Sequence, residues 1–301
     1  MQQGSYNLNF HVKINGRDFN FRMNIEQQSG LDNQIEYEFQ ALKFLEGYGI
    51  APKAFLFDDT CRLFKFAVLV EEFLEGRHLT LEWEDVFSVA ELLAKLHELD
   101  PWGQPFITWD NPLQNTYSFV RNDITSYAAK KSHCQTTLSL AQRLYDKMGP
   151  SVRDCGPLFR PDSLNHTDLS LDNFIFSGKG LRLIDWEKPR VDDASYDLCC
   201  FLSAPAELWC SQRTLDADAR TAFIEAYARL SGKNSKALKE KVRIREPLVS
   251  LHWILWGATK LCDLNERSTT PELVQAHREK TIRYERIAKP ENIEILLEST
   301  G

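Results

Sequence analysis

The segment that most constrains this 301-residue chain is residues 164–187, LNHTDLSLDNFIFSGKGLRLIDWE. Asp168 and Asn173 fall in its polar first half, and the apolar run 174–176 that follows predicts a strand. A glycine-containing turn and a second apolar run complete a predicted hairpin, which ends at Asp185. A polar loop followed by a hairpin would bring these two acids and the amide together.

This combination of side chains suits phosphoryl transfer. Moving a γ-phosphoryl group requires a carboxylate beside the attacking hydroxyl and oxygen ligands for the magnesium ion that bridges the phosphates. Asp168 is the candidate for the catalytic carboxylate, and Asn173 and Asp185 are the candidates for the metal ligands. A lone His-x-Asp motif also occurs in ordinary polar turns, so the interpretation depends on the motif, the hairpin and the Ile-Asp pair occurring together.

The spacing H-x-D-x-x-x-x-N, followed by I-D-W-E at 184–187, resembles the catalytic segment of the aminoglycoside phosphotransferase and choline kinase family. These are small-molecule kinases with the protein-kinase fold. The resemblance implies an α+β, two-lobed structure with a small N-terminal lobe of antiparallel sheet and one helix, and a larger, mainly helical C-terminal lobe. It also implies ATP or GTP and Mg²⁺ as cofactors. Trp186 and Glu187 stand where protein kinases have Phe-Gly, and no A-P-E-like segment follows, which favours a small-molecule acceptor.

The order of predicted elements agrees with this resemblance. The chain begins with two alternating apolar and polar runs joined by Asn-Gly, which is a strong hairpin signal. Residues 31–48 have apolar positions at helical spacing, two more strand-like runs follow, and a helical pattern occupies 84–99. We therefore expect a nucleotide-binding lobe at 1–74 and a catalytic and substrate-binding lobe at 75–301.

The resemblance also implies the residues that bind the nucleotide. Arg22, on the second strand, would contact the α- and β-phosphates and pair with Glu38 on the first helix, with Glu36 as an alternative partner. The segment that follows the last small-lobe strand would bond the adenine edge through the backbone of Glu72 and Leu74. The alternative for the charged residues is a solvated surface position.

Other residues of the motif have implied supporting roles. His166 would organise the catalytic loop and Asp197 would brace it, whereas His97, in an apolar helical pattern, would be a core histidine. Glu187 would assist the binding of metal, water or substrate, or would be a solvated loop acid. The turn at 4–7 would either cover the nucleotide phosphates or simply lead into the strand.

Composition excludes several other classes of protein. A formal net charge of −7, without a Lys/Arg-rich run, argues against a nucleic-acid binder. Seven cysteines without a CxxC pair predict reduced thiols. No apolar run is long enough to span a bilayer and the first residues lack a signal-peptide pattern, so we expect a cytoplasmic protein. The composition does not specify an oligomeric state.

The acceptor is suggested by Trp253 and Trp256, three residues apart in a helical pattern. The pair resembles the one that choline kinases use in an aromatic cage, where each contact with an ammonium group contributes roughly 0.5–2 kcal/mol. Core packing of the two rings and an acidic aminoglycoside pocket are the alternatives. The sequence thus predicts transfer of the γ-phosphate of ATP or GTP to a hydroxyl of a small cationic molecule. The alternative is a pseudokinase or nucleotide-sensing module without turnover.

Overall fold

The computed structural model describes residues 2–3, 7–27, 30–266 and 271–300, with the side chains of 2–3 and 271–277 left undescribed. Its strands are β1 (Gln2–Gln3), β2 (Asn7–Ile14), β3 (Arg17–Asn24), β4 (Ala54–Asp58), β5 (Val68–Glu72), β6 (Arg77–His78), β7 (Ile107–Thr108), β8 (Ser163–Asn165), β9 (Phe174–Ser177), β10 (Gly180–Leu183) and β11 (Arg190–Asp192). Its helices are α1 (Gln34–Phe44), α2 (Trp83–His97), α3 (Pro112–Ala128), α4 (Gln135–Cys155), α5 (Ser195–Leu202), α6 (Ala204–Cys210), α7 (Ala217–Ser231), α8 (Ser235–Glu266), α9 (Pro271–Ile287) and α10 (Pro290–Ser299).

The N-terminal region is an antiparallel sheet with the strand order β1-β2-β3-β5-β4. The predicted hairpin between β2 and β3 is confirmed. Its turn residues Asn15 and Gly16 have φ angles of 51° and 78°, the left-handed conformation that Asn-Gly adopts easily in tight hairpins. The remainder of the chain is mainly helical, so the predicted α+β, kinase-like fold is confirmed.

Helix α1 lies against the sheet and is shorter than the predicted segment 31–48. It begins at Gln34 because the Asn33 side chain caps it, accepting a hydrogen bond of 3.1 Å from the Glu36 N–H. Phe39 packs on Phe57 of β4 at a ring-centroid distance of 4.8 Å. The helix therefore covers one face of the sheet and brings Glu38 to Arg22 of β3.

The catalytic segment folds as predicted into a loop and a hairpin. Strands β9 and β10 pair with each other, and β6 adds a third strand to them. The segment between β5 and β6, where the sequence places the lobe boundary, joins the edge of this sheet at Gly76. A Cβ atom at Gly76 would lie 2.0 Å from the carbonyl oxygen of Phe176, so this close approach requires glycine.

Two apolar clusters form the core. The larger one joins α1 and α2 to the catalytic hairpin and to α5 and α7, and the other lies among α3, α4, α8 and α10. All seven cysteines are free thiols, as the sequence predicts. Within the described residues, every helix is too short or too polar to cross a membrane.

Candidate active site

The catalytic loop between β8 and β9 is organised by the buried carboxylate of Asp197. This carboxylate accepts hydrogen bonds from the backbone N–H groups of His166 at 2.7 Å and Thr167 at 2.8 Å. The oxygen that accepts from His166 also lies 3.3 Å from the ring of His97. Burial alone would raise the pKa of Asp197, but the hydrogen bond and charge of His97 hold it below its usual value. The predicted bracing role of Asp197 and the core position of His97 are confirmed.

The bracing matters because the loop contains an unusual backbone conformation. Thr167 has a φ of 74°, a conformation rarely adopted by a β-branched residue. The loop is also tied to the end of the hairpin: the Thr167 hydroxyl donates to the Lys188 carbonyl at 2.9 Å, and the His166 ring lies 3.0 Å from the Ile184 carbonyl. Hydrogen bonds from two sides therefore hold this conformation in place.

The three residues predicted to meet do so. The Asn173 side-chain amide donates to the Asp168 carbonyl at 3.0 Å, and the Ile184 N–H donates to the Asn173 carbonyl at 2.9 Å. Asp185 follows directly, with a φ of 70°. The loop and the hairpin thus place the acid, the amide and the second acid around one point.

Asp168 has an oxygen atom available for chemistry. Its Oδ1 is buried and has no hydrogen-bond partner among the described residues. Burial raises the pKa of Asp168 above its usual value, and the negative charge of Asp185 adds to this effect. A buried carboxylate oxygen without a donor is costly, so an incoming hydroxyl group would relieve it.

Arg22 lies at the centre of a buried ionic cluster. Its side chain is 4% exposed and contacts Asp185, while Glu187 is 3.1 Å and Glu38 is 3.0 Å away. The Glu38 contact is a close charge pair rather than a directed hydrogen bond. Although burial acts in the opposite direction, the guanidinium holds the pKa of Asp185 below its usual value. The surface alternative for Arg22 and Glu38 is wrong, because both are buried.

Glu187 is not the solvated acid that the sequence allows, because it is only 5% exposed. Its Oε2 accepts hydrogen bonds from the side chains of Asn7 at 2.8 Å, Gln34 at 3.0 Å and Arg22 at 3.1 Å. Burial and the charge of Asp185 raise the pKa of Glu187. Glu187 therefore connects β2, β3 and α1 to the end of the catalytic hairpin.

Sequence reasoning missed a further acid in this site. Glu71 on β5 is 4% exposed and accepts a hydrogen bond of 2.8 Å from the Asn20 side chain. The β-sheet register places Glu71, Asn20 and Arg22 on the same face, the one covered by α1. Burial raises the pKa of Glu71. The alternation of side chains along β5 could have predicted that Glu71 is buried, since Glu71 and the buried Leu69 are two residues apart and lie on the same face.

The predicted adenine-binding segment follows β5. The Glu72 N–H donates to the Lys53 carbonyl at 2.8 Å, so a base contact at this residue would use its carbonyl oxygen. The Glu72 carboxylate pairs with Arg182 of β10 at 2.8 Å. Leu74 lies just beyond the strand. Backbone recognition by Glu72 and Leu74 stays a prediction, and residues 4–6 of the predicted phosphate turn lie outside the described residues.

The two predicted tryptophans belong to a larger aromatic cluster. Trp253 is 8% exposed in the core, and its ring lies 5.6 Å from that of the partly buried Trp256. Sequence reasoning missed Trp209 of α6 and Tyr284 of α9, whose rings both lie 5.3 Å from the ring of Trp256. Core packing thus accounts for Trp253, whereas Trp256 and Trp209 lie at its edge.

A basic residue joins this aromatic cluster to the catalytic loop. Arg283 of α9 lies 5.4 Å from the centre of the Trp209 ring and pairs with Asp172 at 2.5 Å. Asp172 directly precedes Asn173 in the catalytic loop. The cluster is therefore next to the loop that carries the candidate metal ligand.

The oxygen atoms of the site fit a magnesium ion. The amide nitrogen of Asn173 is used by the Asp168 carbonyl, which leaves its amide oxygen as a possible ligand, and Asp185 is 31% exposed. Within the described ranges there is no group of three or more His, Cys, Asp or Glu side chains that could hold a metal ion. Asp185 and Asn173 would be the protein ligands of Mg²⁺, which typically takes one or two protein carboxylates and completes its shell with water and substrate phosphates.

The fold and the site together define a kinase-like phosphotransferase: an antiparallel sheet with a buried Arg–Glu pair, above a braced loop and hairpin that hold the acids. The family model described as "Phosphotransferase enzyme family" matches residues 2–240. The chain belongs to this family, and it is a small-molecule kinase.

Solved structures support the fold. Choline kinase LicA from Streptococcus pneumoniae superposes with a TM-score of 0.64 at 18% identity, covering 95% of this chain and 89% of its own. Choline kinase from Cryptosporidium parvum Iowa II superposes with a TM-score of 0.67 at 16% sequence identity, covering 99% of this chain and 90% of its own. A spectinomycin phosphotransferase in complex with ADP and spectinomycin superposes with a TM-score of 0.62 at 14% sequence identity, covering 99% of this chain and 92% of its own. No curated protein matches the chain in sequence.

Proposed function

We propose that this protein transfers the γ-phosphoryl group of ATP or GTP to a hydroxyl group of a small, cationic molecule. The observation that carries the proposal is the buried Oδ1 of Asp168, which has no hydrogen-bond partner in the described part of the chain. The Asn173 amide donates to the Asp168 carbonyl and the charge of Asp185 acts on Asp168, so these two side chains would supply the oxygen atoms that a phosphate-bound cation needs.

In the proposed reaction, Asp168 accepts a hydrogen bond from the acceptor hydroxyl and orients its oxygen towards the γ-phosphorus. The bond from the acceptor oxygen to phosphorus forms as the bond to the β,γ-bridging oxygen breaks. The nucleoside diphosphate leaves, and the hydroxyl proton passes to Asp168. A positioned base of this kind contributes typically ~10²–10⁴-fold to the rate. The raised pKa of Asp168 brings it closer to the range in which a carboxylate accepts a proton well.

The phosphates would be held by Arg22, whose orientation is set by Glu38 and Glu187. Asp185 and Asn173 would hold Mg²⁺, which, when bound, offsets the negative charge of the phosphates. A solved structure shows LicA in complex with AMP, which supports the use of a nucleotide by this chain. A cytoplasmic location, where Mg-nucleotide is available, is part of the same proposal.

The aromatic cluster supports a cationic acceptor such as an amino alcohol of the choline or ethanolamine type. Trp256 and Trp209 are partly exposed next to the catalytic loop, and aromatic faces attract ammonium groups. An aminoglycoside, which carries several amino groups, is the second acceptor class to test.

The test is Mg²⁺-dependent release of nucleoside diphosphate with choline, ethanolamine, aminoglycosides and simple sugars as acceptors. We expect one acceptor to raise turnover of the unmodified protein, and Asp168→Asn to lower that turnover by about 10²–10⁴-fold while nucleotide binding is retained. Asp162→Asn, which removes an exposed acid just before β8, is the matched control and should keep full turnover.

The other outcomes are equally informative. Nucleotide binding without turnover on any acceptor would favour the nucleotide-sensing module over the kinase. Equal turnover of the Asp168→Asn variant and the unmodified protein would contradict the role of Asp168. Failure to bind any Mg-nucleotide would rule out the proposed site.

A further inference from the structure

The buried acid Glu71 has one carboxylate oxygen in use and one without a partner. Its Oε1 accepts the hydrogen bond of 2.8 Å from the Asn20 side chain. Its Oε2 accepts no hydrogen bond and joins no ion pair within the described residues. This atom is not sealed off like Oδ1 of Asp168, although Glu71 as a whole is only 4% exposed. A carboxylate oxygen so nearly buried is costly unless a ligand brings a donor to it.

The Asn20 amide determines which oxygen of Glu71 stays available. The amide nitrogen donates to Glu71 Oε1, and it also donates to the side-chain oxygen of Asn9 at 3.3 Å. Both hydrogens of the amide are thereby used, so its nitrogen faces Glu71 rather than turning away. Oε1 is held as an acceptor, and Oε2 is the atom left for a ligand.

The strand register places Glu71 between the two ends of the proposed nucleotide site. Glu71 pairs with Asn20, and the next pair on the same face is Leu69 with Arg22. Two residues of a strand span about 6.6 Å, and Arg22 is the proposed phosphate contact. In the other direction, Glu71 directly precedes Glu72, the first residue predicted to contact the base. A nucleotide that reaches from Arg22 to Glu72 therefore passes beside Glu71.

The groups that this position offers to a base are hydrogen-bond acceptors. The Glu72 N–H is already bonded to the Lys53 carbonyl, which leaves the Glu72 carbonyl for a base, and an ionised carboxylate is acceptor-only. Burial raises the pKa of Glu71, but the charge of Arg22 and the hydrogen bond from Asn20 favour its ionised form. Neighbouring acceptors suit an exocyclic amino group, which adenine carries at C6 and guanine at C2. Hypoxanthine has neither.

We propose that Glu71 recognises the base of the nucleotide, its Oε2 accepting a hydrogen bond from the exocyclic amino group of a purine. The inference rests on the proposed kinase function and deepens it. The phosphate donor is an aminopurine nucleotide, ATP or GTP, whereas ITP is rejected because it leaves Oε2 buried without a donor. A Glu71 that only supported Arg22 would affect the binding of all three nucleotides equally.

Equilibrium binding of Mg-ATP, Mg-GTP and Mg-ITP to the full chain tests this proposal. We expect the dissociation constant of ITP to exceed that of the better aminopurine nucleotide by about 10–100-fold. Comparison of ATP with ITP tests the group at C6, and comparison of GTP with ITP tests the group at C2. The two comparisons thus show which amino group Glu71 recognises.

Glu71→Gln should lower this preference by at least about 10-fold. The Asn20 amide would hold the carbonyl oxygen of the new side chain, so its NH₂ group would take the place of Oε2 and face the base as a donor. Glu71→Met, which removes both oxygens, should also lower the preference and serves as the second variant if Glu71→Gln does not fold. Glu75→Gln is the matched control, because Glu75 is an exposed acid four residues further on, and it should keep the preference. Circular dichroism and thermal unfolding check that each variant is folded.

Three results would overturn the proposal and leave the kinase function intact. ITP could bind the unmodified protein as tightly as the better of ATP and GTP, or the folded Glu71 variants could keep the full preference. Alternatively, these variants could bind all three nucleotides more weakly by the same factor, which would assign Glu71 to the support of Arg22. Binding of none of the three nucleotides to the unmodified protein would instead overturn the proposed function, and this inference with it.

Discussion

At the scale of single residues, the protein buries several acids, and Glu207 of α6 is one that lies outside the proposed chemistry. One carboxylate oxygen accepts a hydrogen bond of 2.9 Å from the Leu215 N–H, and the other is buried without a hydrogen-bond partner among the described residues. Burial raises the pKa of Glu207 from its ordinary 4.5 to about 8. In the native state this side chain is therefore neutral at neutral pH.

Replacing Glu207 by Gln should stabilise the protein in a pH-dependent manner. Between pH 4.5 and about 8, Glu207 is protonated in the native state and ionised in the unfolded state, so the native state binds more protons. The unmodified protein therefore loses stability as pH rises through this window. The gain in melting temperature of Glu207→Gln should grow across it and level off above about pH 8. Calorimetry at a series of pH values measures this gain, with Glu225→Gln, an exposed acid on α7, as the control. A gain in melting temperature that does not change with pH would contradict the raised pKa of Glu207.

Arg22 is the buried cation that contacts three acids, of which Glu38 and Glu187 are buried and Asp185 is partly exposed. Removing it as Arg22→Met leaves Glu38, Asp185 and Glu187 without their positive partner. Truncation of one member of a buried charge cluster costs about 3–5 kcal/mol, and denaturant unfolding measures this loss. The double variant Arg22→Met with Glu38→Gln should recover part of it. If the double variant were no more stable than Arg22→Met alone, the predicted interaction of Arg22 with Glu38 would be contradicted.

At the scale of elements, the segment between β5 and β6 approaches strand β9 so closely at Gly76 that there is no room for a side chain. Gly76→Ala would place a methyl group 2.0 Å from the Phe176 carbonyl, a backbone atom that cannot rotate away. Either the segment or β9 must shift, at a cost of typically 1–3 kcal/mol. Turnover should fall as well, because β9 follows directly on Asn173. Gly178→Ala is the control within the same hairpin, since its Cβ would meet nothing within 4 Å. Equal stability and turnover of the two variants would refute the contact.

Local signals are the reason that most elements could be predicted. Asn15-Gly16 specifies its hairpin, and the run 174–176 with its glycine turn specifies β9 and β10. The meeting of Asp168, Asn173 and Asp185 follows from these local elements. The partners of Glu187 did not follow, because Asn7 is 180 residues away in sequence and hydrophobic periodicity says nothing about such contacts. The predicted aromatic pair lacked Trp209 and Tyr284 for the same reason, since α6 and α9 meet only through the tertiary fold.

At the scale of the whole molecule, the N-terminal sheet and the catalytic hairpin are joined by side chains that also belong to the proposed nucleotide site. Arg22 of β3 contacts Asp185 beyond β10, and Glu72 of β5 pairs with Arg182 of β10. A ligand that binds to these residues would stabilise both parts at once. Thermal unfolding therefore reports on occupation of the site, independently of the acceptor.

Mg-nucleotide should stabilise the unmodified protein by about 2.7 kcal/mol at a ligand concentration 100 times the dissociation constant. Asp168→Asn should keep this stabilisation, because Asp168 is proposed to contact the acceptor rather than the phosphates. Arg22→Met should lose most of it, and thermal unfolding with and without Mg-nucleotide measures the difference. If Asp168→Asn lost the stabilisation and Arg22→Met kept it, the two proposed roles would be reversed.

The left-handed backbone of Thr167 and Asp185, with φ angles of 74° and 70°, has a consequence for laboratory evolution of this protein. Conformations of this kind cost of order 1–3 kcal/mol for residues other than glycine. Glycine at 167 would relieve this strain, but it would also remove the hydroxyl that donates to the Lys188 carbonyl and would let the loop hold Asp168 less rigidly. Stability and rate are thus in conflict at this position, and a screen for improved variants has to select for both.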